Sequence, residues 1–549
     1  MAEGSESPRR SRWAWGTEAR EPTPPELEAV AAGASALLGF EATPVEAVRE
    51  EEVELRQSRL DPRGSRAGLF TDDRHERLVH SLGRAYRDVV RAHRGEFEFP
   101  PDLVAFPADE AEVSEVLERA DGLGAAVIPF GGGTSVVGGV EPRLEDEERP
   151  VISLDLGRLD QVVEVDRESG SALIGAGARG PVLEEQLRSE GLTLRHFPQS
   201  FEWSTLGGWI ATRAGGHFAT GETHIDDLVE SVTAVTPEGR WESRRLPGSG
   251  AGPSPDRMML GSEGILGVVT GAWVRVRPRP VFRARATIGF PDFIDAATGA
   301  VREIAQSGLS PANCRLVDPD EASLMGAGDG SEAVLMLGFE SADLPVETQL
   351  DQAVEIAAAG GGELRDRRVT DGRPGDGEGG SGSDRWKSAF LEAPYLRDRL
   401  VSCGVLTETF ESAITWDRFR DFHDRVTTAT REAALSTLAA EDAVPRVSCR
   451  LTHVYPDGAA PYFTVVAPAR RGEEVAQWDE VKAAASEVII EAGGTITHHH
   501  AVGRDHRPWY DRQRPEAFAS ALAAAKSAVD PDWILNPGVL LDPAIRRGQ

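Results

Sequence analysis

Lysine is almost missing from this chain. Only Lys387, Lys482 and Lys526 occur among 549 residues, so imine chemistry has few residues to work with and nearly all positive charge is arginine. Cysteine is as scarce. Cys314, Cys403 and Cys449 are odd in number and far apart, which excludes a disulfide framework and a recognisable metal-ligand spacing and fits a reducing, cytoplasmic setting. No apolar run approaches the ~20 residues of a membrane span, and the opening MAEGSESPRRSRWAWG lacks the hydrophobic region of a signal peptide. Positive charge is short overall: Lys+Arg 59 against Asp+Glu 90 gives a formal net charge of −31. That balance excludes a nucleic-acid partner, which needs clustered cations to release counterions, and general attraction to anionic lipid. Two local exceptions stand out. Arg9, Arg10 and Arg12 lie beside Trp13 and Trp15, a patch that offers a route to peripheral membrane contact. Arg275, Arg277, Arg279, Arg283 and Arg285 have period-two spacing and read as the solvated face of a strand.

The length is past the size at which one core keeps growing, so two or more domains are expected. Residues 1–96 read as mostly helical, with helical periodicity over Glu26 to Leu38 and His75 to His93. From there the texture changes. Short apolar runs (Leu103 to Phe106, Ala126 to Phe130, Val151 to Leu154, Ala172 to Ile174, Val232 to Val235, Ile265 to Val269) alternate with glycine-rich turns and helical stretches such as Glu110 to Ala120 and Pro181 to Gly191, which predicts an α+β domain over 97–279. A second α+β region, 280–500, follows. It has helix candidates at Phe293 to Ser307, Val346 to Gly360 and Glu480 to Ala492, with strands at Ala333 to Phe339 and Tyr462 to Val466. A Gly-rich stretch from Asp371 to Asp384 reads as a surface loop, and 501–549 form a C-terminal segment.

Three clusters of small residues carry chemistry. IPFGGGTSVVGG, Ile128 to Gly139, follows an apolar run and offers three consecutive glycines and two hydroxyls. Without Cβ atoms such a backbone turns tightly and presents several N–H groups to one anion, of which a diphosphate is the natural example. PQSFEWSTLGGWIATRAGG, Pro198 to Gly216, and MLGSEGILGVVT, Met259 to Thr270, are the second and third. Each alone is ordinary turn chemistry, but together they point to one long cofactor contacted at several places. Further on, THHHAVG runs from Thr497 to Gly503. If extended, it puts His498 and His500 on one face and turns His499 away. Imidazoles suit proton transfer near pH 7. Zinc is the rival reading, but no third ligand stands at a recognisable spacing, and no metal is expected.

At these residues the chain resembles a family. GGGTS, Gly131 to Ser135, resembles the diphosphate loop of the vanillyl-alcohol-oxidase or PCMH-type FAD-binding fold. The wider set, which adds ISLDLGRLD, CRLVD, YLRD, FESAITWDR, PYF and THHHAVG in order, resembles the alkyldihydroxyacetonephosphate (alkylglycerone-phosphate) synthases. The resemblance implies a two-subdomain FAD domain closing around 97–279, an α+β cap over the flavin, and non-covalent FAD. Its contacts would be Pro129, Phe130, Gly131, Gly132, Gly133, Thr134 and Ser135; Pro198, Gln199, Ser200, Phe201, Glu202, Trp203 and Ser204; Ala211, Thr212, Arg213 and Ala214; and Glu263, Gly264, Ile265, Leu266, Gly267, Val268 and Val269. It implies exchange of the acyl group of acyl-dihydroxyacetone phosphate for a long-chain alcohol through a flavin N5 adduct, as a step of ether-lipid synthesis, by a homodimer. Tyr462 would be the general acid/base, Arg397 would grip a phosphate or the leaving carboxylate, Arg315 would be another activity-linked arginine, and His498, His499 and His500 would line the phosphate and ketone site. Where the family commonly has glycine, Ala501 stands. The alternative is an FAD-dependent D-2-hydroxy acid dehydrogenase or oxidase. Such enzymes carry an acidic residue where His499 stands and a second histidine that His453 to Phe463 lacks.

Overall fold

The computed structural model describes residues 9–63, 66, 68–371, 382–438 and 443–548, with the backbone alone at 371, 382–391 and 547–548. The Gly-rich stretch lies outside the described residues except at its ends, where the strand Glu363–Asp371 stops and the helix Gly382–Ser402 starts.

Short parallel strands open the larger N-terminal body. Leu103–Ala105, Val151–Asp155 and Ala126–Phe130 pair in parallel, with Phe70–Thr71 antiparallel at the edge. Strands covered on both faces read as unbroken apolar runs, and Leu103, Val104, Val127 and Ile128 are all fully buried. A five-stranded antiparallel sheet follows, ordered Val162–Asp166, Ser171–Gly175, Val268–Arg275, Val229–Thr236 and Gly239–Glu242. The C-terminal segment packs on both. Leu535 bridges in parallel to Val127, and the fully buried Lys526 donates to the carbonyls of Ile265 and Leu535 and pairs with Asp530.

The second half builds an antiparallel sheet in the order Glu363–Asp371, Phe282–Phe290, Ala333–Ser341, Asn313–Val317, Arg446–Val454, Gly458–Pro468 and Val405–Glu411, with Ile414–Thr415 beside Gly458–Pro468. Side chains alternate across a strand, and here the two faces have different jobs. Leu406, Phe410, Cys449, Leu451, Phe463 and Val465 join the core under the helices Glu347–Ala359, Phe419–Ser436 and Glu474–Glu491. Thr407, Thr409, Arg450, Thr452, Tyr462 and Thr464 face the other way, into a cavity shared with the N-terminal body.

Several expectations need correcting. The first 96 residues are only partly helical: Pro24–Leu38 forms on a Thr23/Glu26 capping box with proline at its start, but Arg74–Val79 and Tyr86–His93 are two short helices and long stretches between are irregular. The segment is anchored by burial in the second half's core, which takes in Trp13, Val53, Tyr86 and Val89. Trp13 and Trp15 are 4% and 5% exposed and Arg12 is buried with them, so this patch does not face a membrane. Arg275, Arg277, Arg283 and Arg285 are spread over three strands and Arg279 lies between the second and third, and Arg277 and Arg279 pair with Glu222 and Glu184.

Lys526→Met fills the same volume but leaves Asp530 charged and buried. The expected loss is about 3–5 kcal/mol, read as a lower denaturant midpoint; a shift corresponding to less than ~1 kcal/mol would show that the pair does not hold the C-terminal segment.

Candidate functional site

A cavity of about 610 Å³ lies between the two halves. One wall is the N-terminal body: all of Pro129 to Ser135, then Pro198, Gln199, Ser200, Ser204, Ala211, Thr212, Ala214, Glu263, Gly264, Gly267 and Val269. Glycine is required here by close approach. A Cβ on Gly132 would fall 1.9 Å from the Trp203 carbonyl oxygen, and one on Gly131 2.4 Å from the Thr205 hydroxyl; Gly133 has φ +64. Seven of the expected contacts do not line the cavity. Ile265, Leu266 and Val268 are core side chains. Arg213 turns away, in the left-handed region at φ 53, to pair with Asp226 at 2.7 Å. Phe201 stacks on Trp209, Glu202 accepts from the Tyr395 hydroxyl at 2.8 Å, and Trp203 packs under Arg10 and Arg179.

The opposite wall is the polar face of the second sheet. The Arg450 guanidinium lies 3.8 Å from the centre of the Tyr462 ring and pairs with the buried Glu321. Burial pushes the Tyr462 phenol up, against the pull of Arg450 and a hydrogen bond with Thr409. Arg315 borders the same cavity; burial, reinforced by the like charge of Arg450, pushes it down to about 9. Arg397 also lines the cavity, but its Nε and Nη2 donate to Asp398 and its Nη1 to the Arg84 carbonyl. Its fork is spent on the protein, so it braces the wall more than it reaches into it.

The histidine run is not extended, and this overturns the expected faces. It wraps around one carboxylate oxygen. Glu411 Oε1 accepts from the backbone N–H groups of His498, His499 and His500 at 3.1, 2.7 and 2.7 Å and from the Thr497 hydroxyl at 2.9 Å. His499 and His500 therefore enter the main cavity beside Tyr462, with ring centroids 6.0 and 5.5 Å from it, while His498 lines a second cavity behind. The other end of the loop is held by a second buried carboxylate: Glu263 accepts from Val502 and Gly503 N–H at 2.9 and 2.8 Å. Burial pushes Glu411 up, but His500, His499 and the His499 N–H pull it further down, well below the usual carboxylate range. Burial pushes His499 down to about 3 and His498 and His453 well below the usual imidazole value, so these rings are neutral at pH 7. His453, which the spacing did not reveal, supplies the third member of a group with His498 and His499 whose ligand atoms lie within 4.8 Å of one another. Its Nε2 meets the Gly216 carbonyl at 3.1 Å, and the Nδ1 atoms of His498 and His499 meet at 3.0 Å.

Residues 101–243 match a model described as an FAD binding domain, and residues 279–540 one described as the C-terminal domain of FAD linked oxidases. A Caenorhabditis elegans alkyldihydroxyacetonephosphate synthase is 32% identical over 492 residues, covering 86% of this chain and 81% of its own. The chain belongs to the alkyldihydroxyacetonephosphate synthase family. A solved structure of a member, 24% identical, superposes with a TM-score of 0.80 over 98% of this chain and 99% of its own. A Bacillus subtilis glycolate oxidase subunit, GlcD, is 25% identical over 87% of this chain and 99% of its own. The fold is thus the PCMH-type α+β flavoprotein fold, and the enzyme takes FAD.

The residues present fit that cofactor. The side-chain-free backbone at Gly131 to Gly133, pressed onto Trp203 and Thr205 on one side, presents its other side to the cavity, as a diphosphate requires. Ala501, where the family commonly carries glycine, has φ +74; the turn between the two carboxylate grips needs the left-handed region, which explains the family's choice. Sequence reasoning missed Glu411, Arg450 and His453 as site residues. Glu411 and Arg450 have a signal only once their strands are known, since alternation then puts them on the face that bears Tyr462.

Glu411→Gln keeps the shape and removes the charge. Wild type is expected to be more stable by roughly 1.5–3 kcal/mol at pH 5 to 8. A carboxyl held low contributes stability above its unfolded pKa and loses it as pH falls through the folded one, so the gap closes only below ~pH 4.3. Unfolding curves of both proteins against pH check this; a gap that widens in acid contradicts it.

Proposed function

We propose that this enzyme exchanges the acyl group of an acyl-dihydroxyacetone phosphate for a long-chain alcohol, as its relatives' name describes, and so supplies an ether-lipid precursor. One observation carries the reading: a single cavity joins the glycine loop, the Tyr462, Arg315 and histidine wall, and an apolar arm formed by Val30, Ala34, Leu37, Leu38, Leu396 and Leu400. A phosphorylated headgroup and an alkyl chain each find a matching environment in it. When bound, FAD supplies a ring that takes up and returns electron density at the substrate carbon. The contacts to it are assigned to Pro129 to Ser135, Pro198 to Ser200, Ser204, Ala211, Thr212, Ala214, Glu263, Gly264, Gly267 and Val269.

The side chains do the rest. Tyr462 is protonated at neutral pH and lies under Arg450, which stabilises the phenolate formed when the proton leaves. It is therefore assigned to give and take the proton at the carbon next to the ketone. Arg315 stays charged at pH 7 although burial and Arg450 push it down to about 9, and a phosphate dianion beside it offsets both effects. Neutral His499 and His500 offer hydrogen bonds to the ketone and phosphate oxygens without adding charge. No described helix is long and apolar enough to cross a membrane; a cytoplasmic homodimer in peripheral contact with lipid completes the reading.

Tyr462→Phe is expected to keep its FAD and its flavin spectrum while losing turnover by at least ~100-fold. The assay is anaerobic: palmitoyl-dihydroxyacetone phosphate and hexadecanol yield alkyl ether and palmitate with no electron acceptor consumed. Flavin bleaching by D-lactate or glycolate without ether product would establish the hydroxy-acid oxidoreductase instead.

A further inference from the structure

Behind the histidine loop lies the second cavity, of about 600 Å³, walled by Thr223, His224, Tyr455 and His498. Arg213 and Arg257 stand at its rim with side chains 58% and 56% exposed, so it opens to solvent. His499 belongs to the wall of the main cavity and His498 to the wall of this one. Two consecutive residues thus face two compartments, and hydrogen bonds run through the partition they form. The Nδ1 atoms of His499 and His498 are 3.0 Å apart, His498 Nε2 is 2.7 Å from the Tyr455 hydroxyl, that hydroxyl is 3.1 Å from Thr223 Oγ1, and Thr223 Oγ1 is 3.1 Å from His224 Nδ1.

Every member can accept a proton at one position and release one at another, an imidazole across its ring and a hydroxyl at one oxygen. Burial keeps the run neutral, with His224 pushed down and Tyr455 pushed up to about 12. A need for such a path follows from the proposed exchange, on which this inference rests. One C–O bond to the leaving acyloxy group breaks and one C–O bond to the alcohol forms; the acid departs as carboxylate, and the alcohol's hydroxyl proton stays behind. Each turnover therefore deposits one proton in a cavity whose apolar arm holds a lipid chain.

We propose that His499, His498, Tyr455, Thr223 and His224 carry this proton to the second cavity. A proton taken up by His499 is matched by the one it passes to His498, then by transfer from His498 Nε2 to the Tyr455 oxygen, and from Tyr455 through Thr223 to His224. Each group ends with as many N–H or O–H bonds as it began with, and the proton leaves from His224 Nε2, which gives up its contact with the His498 carbonyl at 3.2 Å to hand it to water in the second cavity. Tyr455, Thr223 and His224 are relay residues that do not touch the substrate.

The test is Tyr455→Phe in the FAD-loaded enzyme, which removes the hydroxyl and keeps the ring. Expected are an unchanged flavin spectrum and KM, a kcat lower by roughly tenfold, less than the ~10²–10⁴ of a direct acid/base group, and a larger solvent deuterium isotope effect. Proton release, followed with a pH indicator in a single turnover, should lag behind ether formation, and added imidazole should restore the rate in proportion to its concentration. Wild-type kcat and isotope effect in the variant would overturn the relay, as would a loss that imidazole leaves untouched. Thr223→Val answers the same question should Tyr455→Phe lose its FAD. Wild-type enzyme that forms no ether overturns the exchange reading and the relay with it, whereas active wild type beside an indifferent variant overturns the relay alone.

Discussion

One carboxylate oxygen organises this site. Glu411 Oε1 gathers three consecutive backbone N–H groups and a hydroxyl, and a buried anion of this kind is tolerable only with such donors around it. The consequence is geometric. Winding Thr497 to His500 around a point sends neighbouring imidazoles in different directions, so that His499 and His500 meet Tyr462 while His498 faces the second cavity. Glu263 holds the far end of the same loop from the N-terminal body. Glu411 belongs to the second sheet, so the histidine loop is also the stitch between the two halves, and the cavity keeps its shape because both carboxylates hold it.

The two walls obey different rules. On the cofactor side the backbone does the work, and glycine is demanded where a Cβ would strike Trp203 or Thr205. On the sheet side the strand period of two separates roles, with Phe463 and Cys449 in the core and their neighbours Tyr462 and Arg450 in the cavity. Glu408, between Thr407 and Thr409, pairs with Lys482 of the helix Glu474–Glu491 at 2.7 Å.

What could be read from the chain follows from these rules. The glycine loop was legible because its chemistry is local and because two further small-residue clusters stand beside it in the same domain. The fold class and the apolar-run strands of the N-terminal body were legible from periodicity, whereas strands of the second sheet such as Phe282–Phe290, Val405–Glu411 and Arg446–Val454 were not. Glu411 was not, because its partners lie 86 to 89 residues away. The histidine faces were misassigned for the same reason: an extended segment assumes neighbours on a strand, whereas a distant carboxylate bends this one into a loop. Ile265, Leu266 and Val268 show the limit of carrying a contact list along a motif, since the turn before the strand Val268–Arg275 and the strand's first residue send their side chains into the core. Trp13 and Trp15 look exposed in a charged terminal stretch, but Trp13 packs into the second half's core and Trp15 lines the cavity.

The most direct test of this account is amide hydrogen exchange over residues 495–505, compared between wild type and Glu411→Ala. The carboxylate grips predict slow exchange at His498, His499, His500, Val502 and Gly503 in wild type, and a loss of protection confined to the three histidines in the variant, with Val502 and Gly503 still held by Glu263. Fast exchange at the histidines in wild type, or equal protection in both proteins, would contradict the claim that Glu411 builds the site.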